Sequence, residues 1–385
     1  MNNQLVEIHK TLFGKEPEVK VISPSRINII GEHIDYLGGN VFPANIDLNM
    51  IGYFTKSNNI SMYSHNFKKD GVRFIADQNE FSYDENNGFL NYVVGCLQIL
   101  RDEGYKVGGF NASINSDIPA SSGLSSSAAF GVLIMKGITE LYGMHLDGVE
   151  IAKLFKKVEN KFMHLKNGIM DQFIIANGIK DHAMLLDTST LKYSNFKINL
   201  GEYRFVVLNT KKPRDLIDSK YNERVDETTK ALKLINKKYS YENLCSIPIA
   251  QKENVLNLIK DPIIRKRAKY AIEEQERVRM FMEAIKETDI KKMGMILNQG
   301  HAGLRDLYEV SCPESDLIQE TANEVEGVAG ARMTGAGFGG CLIALVKKDS
   351  IEEMKNKVIK RYAGKYGYEC EVYETEISDS TRILK

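Results

Sequence analysis

Hydrophobic positions along the chain follow two periods. Val19 and Val21, then Ile27, Ile29 and Ile30, form a short apolar run that gives out at Gly31, which predicts a strand ending in a turn. Phe110 to Ile114 reads as another strand. From Phe130 to Leu141 apolar residues cover nearly every side of a helix, so that helix should be buried. Between Asp147 and Lys166 the stripe Ile151, Phe155, Val158, Phe162, Leu165 advances in steps of four and three. That is an amphipathic helix, opened by Asp147 with Glu150 three residues on, and it should stop at Asn167-Gly168. Phe205 to Leu208 and Leu342 to Val346 read as strands, and the chain between Lys220 and Glu326 is rich in helix. No internal repeat and no low-complexity linker divides these elements.

Composition changes the picture mainly by exclusion. With 385 residues the chain has room for two domains. Lys plus Arg and Asp plus Glu balance at 51 each, so neither nucleic acid nor an anionic membrane is an expected partner. No apolar run reaches the length of a membrane span, and Met1-Asn2-Asn3-Gln4 lacks the basic-then-apolar order of a signal peptide. Cys96, Cys245, Cys312, Cys341 and Cys370 are scattered, odd in number and never in a CxxC pair. They argue against a disulfide framework and a zinc site, and a reduced, cytoplasmic compartment is expected.

Candidate chemistry gathers where the apolar runs end. After the first strand, Arg26, Glu32, His33 and Asp35 fall within ten residues. Two carboxylates, an imidazole and a fixed cation can together fork around several hydroxyl groups, which suits a polyhydroxylated ligand such as a sugar. The plainer alternative is a charged surface turn. Asp117 to Ala129 precedes the buried helix with Pro119, Gly123 and a row of serines. A helix that opens on small residues leaves N–H groups without partners, and phosphate is their usual occupant. No Gly-Lys-Ser/Thr follows, so this is not a Walker loop. A capped loop without ligand is the alternative.

A third glycine-rich stretch, Ala331 to Cys341, has dinucleotide-like spacing but precedes a strand, so the Rossmann reading fails on context. A turn that approaches backbone or ligand closely fits better. Glu159, at the edge of the amphipathic stripe, either faces a cleft or is solvated. Asp171 is either a carboxylate at a helix start or a general base.

Taken in order, these motifs resemble the GHMP small-molecule kinase superfamily and, within it, the galactokinase family. Arg26 to Tyr36 fills the signature Arg-x-Asn-x-Ile-Gly-Glu-His-x-Asp-Tyr, and Gly123 to Ala128 fills the phosphate loop Gly-Leu-Ser-Ser-Ser-Ala. Gly168 to Gln172 and Ser219 to Arg224 match further blocks, and Arg332 to Gly340 matches the third superfamily motif. The likeness runs from about residue 18 to residue 346 and is loose over the last forty residues. Ser25 stands where the family commonly has Gly, Ser121 and Ser122 replace small residues, and Asn167 replaces a usual Cys.

The resemblance implies an α+β, two-domain fold with the active site in the cleft between residues 1–200 and 201–385. It implies ATP-dependent phosphorylation of the C1 hydroxyl of galactose, by a monomer with no nucleic-acid or membrane partner. Asp171 would be the base and Arg26 would lie beside it to offset phosphoryl charge. Glu32, His33, Asp35, Gly168 and Tyr221 would bind galactose. Ser121, Ser122, Gly123, Leu124, Ser125, Ser126 and Ser127 would hold the ATP phosphates, with Phe89 and Tyr92 near adenine, where the family more often has Trp. Ser127 and Glu159 would hold Mg²⁺. Other substrates in the same class are N-acetylgalactosamine, galacturonate and arabinose. A silent sugar sensor is the alternative of a different class, although the base, the metal ligands and the full loop are present.

Overall fold

Val19 opens a strand that both halves of the molecule use. The computed structural model describes residues 2–75, 81–119, 122–212 and 217–385. In chain order the first half holds α1 (Asn2–Phe13), β1 (Val19–Asn28), β2 (Asn40–Val41), β3 (Pro43–Lys56), β4 (Ile60–Ser64), β5 (Val72–Ile75), α2 (Leu90–Asp102), β6 (Phe110–Ser116), α3 (Ser126–Leu141), α4 (Gly148–Lys157), α5 (Met170–Asn177), β7 (His182–Asp187) and β8 (Tyr193–Lys197). The second half holds β9 (Tyr203–Asn209), α6 (Ile217–Ile235), α7 (Lys252–Leu256), α8 (Pro262–Glu287), α9 (Ile290–Gly303), α10 (Pro313–Asn323), β10 (Val328–Met333), β11 (Cys341–Lys347), α11 (Ile351–Tyr366), β12 (Glu371–Glu374) and β13 (Arg382–Ile383).

The strands form a six-stranded sheet in the order β13-β1-β3-β6-β4-β5, a four-stranded sheet β10-β11-β9-β12 and a small sheet β2-β7-β8. In the large sheet only β4 and β6 run parallel. Its faces follow the two-residue period of a strand: Phe54 meets α3, while Thr55 bonds His9 of α1 on the other side. Pro24 cannot donate to a ladder, and it sits where the β1–β3 register shifts. The bulge re-aims Ser25 to Asn28, and the polar residues that follow enter the space between the halves.

The apolar helix expected after the serine loop is α3, and it is buried along most of its length. Gly131 lets the Phe155 ring press on it, since a Cβ there would lie 1.8 Å from the ring. The amphipathic helix begins with the expected capping box, Asp147 with Glu150, but ends at Lys157 rather than near Lys166. A π-turn, Val158–Phe162, follows, and in it Val158, Glu159 and Phe162 are all buried. The wider turn keeps the apolar stripe inward while carrying a carboxylate in with it.

The sheets divide between Lys197 and Tyr203, but the chain does not stay in the second half after that point. Beyond β12 it crosses back: Val21 and Ile22 pair with Ile383 and Arg382. The Ser378 N–H donates to Asn45 O at 3.0 Å and the Thr381 N–H to Ile175 O at 2.8 Å. The expectation of a second domain running unbroken to residue 385 is therefore amended. The last ten or so residues complete the first half, because the free edge of β1 is where their backbone groups find partners. Among the described residues no helix is long and apolar enough to cross a membrane.

Candidate active site

The end of β1, the starts of α3 and α5, α6 and the β10–β11 turn meet around a cleft of about 840 Å³. On its floor Arg26 grips Asp171 with both arms of the guanidinium, Nε to Oδ1 and Nη2 to Oδ2, each at 2.7 Å. Its third nitrogen, Nη1, donates to the Gly123 carbonyl at 3.0 Å. Arg26 is buried, whereas the Asp171 side chain is 31% exposed toward the cleft. Burial opposes the charge on Arg26, but the Asp171 carboxylate outweighs it and holds the guanidinium above its usual range. The Ser125 hydroxyl donates to Asp171 Oδ2. Ser125 is the residue before α3, with φ +57°, and its side chain makes no cap bond. The serine therefore serves the carboxylate, and the first N–H groups of α3 are left for another acceptor.

At the inner end of the cleft lie Glu32, His33, Asp35, Gly168 and Tyr221, the set that the family resemblance had implied would share a pocket. Burial pushes the Glu32 carboxyl up to about 7, against the pull of Arg332 and Arg26. Burial and the nearby Asp171 push Asp35 up to about 6. His33 stands at φ +59°, and both ring nitrogens have protein partners: Nε2 lies 3.2 Å from Ala336 O and Nδ1 3.1 Å from Tyr36 Oη. Burial holds it down to about 3, with Arg224 and Arg332 adding to the effect. A neutral ring fits both contacts, with Nε2–H donating to the carbonyl and Nδ1 accepting from the tyrosine. The chain of bonds continues from Tyr36 to Tyr308 at 2.7 Å. Gly168 has no room for a side chain, since a Cβ would lie 1.8 Å from Asp35 Oδ2. Its carbonyl accepts from Gln172 Nε2 at 3.1 Å.

The outer end is the serine loop. Ser121 lies outside the described residues. Ser122 and Leu124 are buried, the latter completely, so they anchor the loop rather than face the cleft. Gly123, Ser125, Ser126 and Ser127 line the cleft, Ser127 being the most exposed. The third glycine-rich stretch is the turn between β10 and β11, and it presses on this loop: a Cβ on Gly335 would lie 2.6 Å from Gly123 O. Of the two aromatics assigned to adenine, Tyr92 lines the cleft. Phe89 stacks on Phe67 instead, with centroids 5.9 Å apart, and is not part of the lining, which does include Tyr83.

Glu159, carried in by the π-turn, is 3% exposed and lines the cleft. Its Oε2 has no hydrogen-bond partner. Burial pushes the carboxyl up to about 8, with Asn167 opposing. A buried carboxylate oxygen without a partner, lining the same cleft as the exposed Ser127, fits a hard cation that takes most of its ligands from phosphates and water. Among the described residues no three His, Cys, Asp or Glu side chains form a metal cluster, as such a site requires none.

Sequence reasoning missed the groups behind the inner end of the cleft. Arg332 on β10 is fully buried and donates to Glu32 Oε2. Glu274 and Tyr270 on α8 hold the backbone of Gly31 and Glu32. Arg332 belongs to a motif that could have flagged it. Glu274 sits in a run of charges, Glu273-Glu274-Gln275-Glu276-Arg277, that reads as a solvated helix face.

Comparison with known proteins gives the family. The chain matches the family GHMP kinases N terminal domain over residues 91–178, the Galactokinase galactose-binding signature over 7–56 and GHMP kinases C terminal over 281–364. The galactokinase of Staphylococcus carnosus is 42% identical over 379 residues, 97% of each chain. That of Enterococcus faecalis is 41% identical over 386 residues, 99% of this chain and 98% of the relative. The crystal structure of Lactococcus lactis galactokinase complexed with galactose superposes with a TM-score of 0.95 over all of both chains, at 37% identity. The Methanococcus jannaschii mevalonate kinase shares the fold alone, with a TM-score of 0.66 at 22% identity over 94% of this chain and 98% of its own.

Proposed function

The chain belongs to the galactokinase family of GHMP kinases, and from that premise we propose that it transfers the γ-phosphoryl group of ATP to the C1 hydroxyl of galactose. The observation that carries this reading is the bidentate Arg26–Asp171 pair, set between a hydroxyl-reading pocket and an uncapped helix start.

Galactose sits at the inner end, with its hydroxyls donating to Glu32 and Asp35. His33, whose nitrogens are already engaged, shapes the wall with its ring. Gly168 leaves room for the Asp35 carboxylate beside it, and Tyr221 closes the far side, its ring 5.5 Å from that of His33. Asp171 accepts the proton of the C1 hydroxyl as oxygen attacks phosphorus and the bond to the β,γ-bridging oxygen breaks. Arg26 and Ser125 fix the carboxylate so that its remaining lone pairs face the sugar. Arg26 also offsets negative charge on the transferring group.

The N–H groups at the start of α3 and the Gly123 to Ser127 backbone hold the ATP phosphates, with adenine beside Tyr92. Ser127 and Glu159 are the residues that would hold Mg²⁺, which when bound neutralises phosphate charge. The setting is cytoplasmic. The test is a panel of galactose, N-acetylgalactosamine, galacturonate and arabinose with ATP and Mg²⁺, following ADP release. The highest kcat/KM is expected for galactose. A higher value for any of the others would move the assignment to that sugar.

A further inference from the structure

Glu32 is held by the other half of the molecule at its carboxylate, its N–H and its carbonyl, the carboxylate also accepting from the Gly335 backbone. Its carboxylate accepts from Nη2 of Arg332, a residue of β10 that is fully buried and is not part of the cleft lining. Arg332 Nε donates to Met333 O at 2.9 Å, and its Nη1 lies 3.5 Å from Glu274 Oε1 without a hydrogen bond. From α8, Glu274 Oε1 accepts from the N–H groups of Gly31 at 2.9 Å and Glu32 at 3.2 Å. The Tyr270 hydroxyl donates to Glu32 O at 2.9 Å, and Arg277 Nε donates to Glu274 Oε2 at 2.6 Å. Side chain and backbone of one sugar-facing residue are thus clamped by β10 and α8.

The charges in this cluster balance, with Glu32 and Glu274 against Arg332 and Arg277. Without Arg332 a buried carboxylate is left in excess, and taking up a proton is its readiest relief. A protonated carboxyl has one O–H donor and reduced acceptor capacity, so it no longer offers a sugar two acceptor oxygens at fixed positions.

We propose that Arg332 is a positioning residue for sugar recognition, which keeps the Glu32 carboxylate ionised and aimed at the sugar hydroxyls while touching no ligand itself. The proposal rests on the reading of the cleft as a galactose site. Glu32 is faced by Arg332 on β10, Arg26 on β1, Asp171 on α5, Glu274 and Tyr270 on α8 and Tyr221 on α6. Burial holds its carboxyl up at about 7 even with Arg332 present. Arg332 is thus set against a strong tendency to neutralise.

The test is calorimetric titration of the full chain with galactose, without ATP, from pH 6 to 9, with ATP binding measured in parallel as a check on folding. In the wild type, affinity should rise as pH passes about 7. Arg332→Met should weaken galactose binding at pH 7 by about 10- to 100-fold, the worth of a hydrogen bond to a charged group. It should also move the rise in affinity upward by about one pH unit or more. Arg332→Lys should restore the wild-type pH dependence.

In a Glu32→Gln background Arg332→Met should cost less than about threefold, as coupled partners do. Equal affinity and pH dependence in wild type and Arg332→Met would overturn the proposal, as would an equal loss in the Glu32→Gln background. If Arg332→Met does not fold, Arg332→Gln, which also removes the charge, decides. Weaker binding that vanishes as a difference once Glu32 is Gln supports the proposal, and wild-type affinity overturns it. A wild type that binds ATP but no galactose at any pH overturns the galactose reading and this proposal with it.

Discussion

Asp171 gives both carboxylate oxygens to protein donors, yet its side chain still opens on the cleft. A group held that firmly is oriented before substrate arrives, so the loss of its basicity should show in turnover rather than in binding. Asp171→Asn should lower kcat by about 10²- to 10⁴-fold with galactose affinity nearly unchanged. Rapid-quench and titration measurements separate the two, and wild-type turnover would remove the base assignment. Glu159 has the opposite character, a buried carboxyl whose Oε2 lacks a partner and whose proton is held to about 8. The native state binds that proton more tightly than the unfolded chain. Stability of the ligand-free protein from this group therefore falls as pH rises from the ordinary carboxyl range through about 8. Mg²⁺ needs the ionised form, so the Mg²⁺ requirement should ease over the upper part of the same range. Glu159→Gln should raise the Mg²⁺ needed for half-maximal rate and flatten its pH dependence, and an unchanged titration would place the metal elsewhere. At this scale the motif residues were readable from sequence because chemistry restricts their identity. The Ser125 hydroxyl was not, since a serine before a helix ordinarily caps it, and only the backbone turn at φ +57° swings it to Asp171.

The element that matters most is the start of α3, where a loop of small residues meets a helix too apolar to face water. Gly123 stands at φ +82°, its carbonyl takes Arg26 Nη1 at 3.0 Å, and Gly335 leans on that carbonyl. Gly123→Val would place a β-branched side chain in a left-handed conformation beside the phosphate path. ATP binding should be lost while galactose binding and folding persist, and calorimetry with each ligand alone reads this directly. Unaltered ATP affinity would contradict the phosphate-loop assignment. Periodicity made α3 and the cap of α4 legible, because burial and capping are local rules. It carried α4 too far, because a π-turn keeps the apolar stripe of a helix while changing its winding. That turn is what brings Glu159 inward, so the place where the helix was carried too far is the place that holds the candidate metal ligand.

At the scale of the molecule, the two halves are tied by the returning tail and by the Arg332–Glu32 pair, and neither tie is visible in local pattern. The segment after Glu374 shows no strong period, since it contributes backbone partners to β1 and side chains such as Thr381, 2.8 Å from Ser23 Oγ. Deleting residues 375–385 removes at least six backbone hydrogen bonds to the rest of the chain, at about 1 kcal/mol each. That should lower the melting temperature by about 5–10 °C. Calorimetry showing no change would mean that the tail adds nothing to the first half. The α+β fold and its cleft followed from ordered motifs, each of which places chemistry in the same cleft. Contacts made by single residues across 300 positions of sequence, as between Glu32 and Arg332, leave no such trace. What the whole assembly does is read one sugar and phosphorylate it, and the sharpest test is kcat/KM for galactose against glucose with the product position identified by phosphorus NMR. These sugars differ only at C4, and a site that must leave buried polar groups unpaired can reject the wrong one by about 10⁴- to 10⁵-fold. Galactose 1-phosphate with little or no product from glucose is the predicted result, and comparable values for the two sugars, or phosphate at another carbon, would contradict the account.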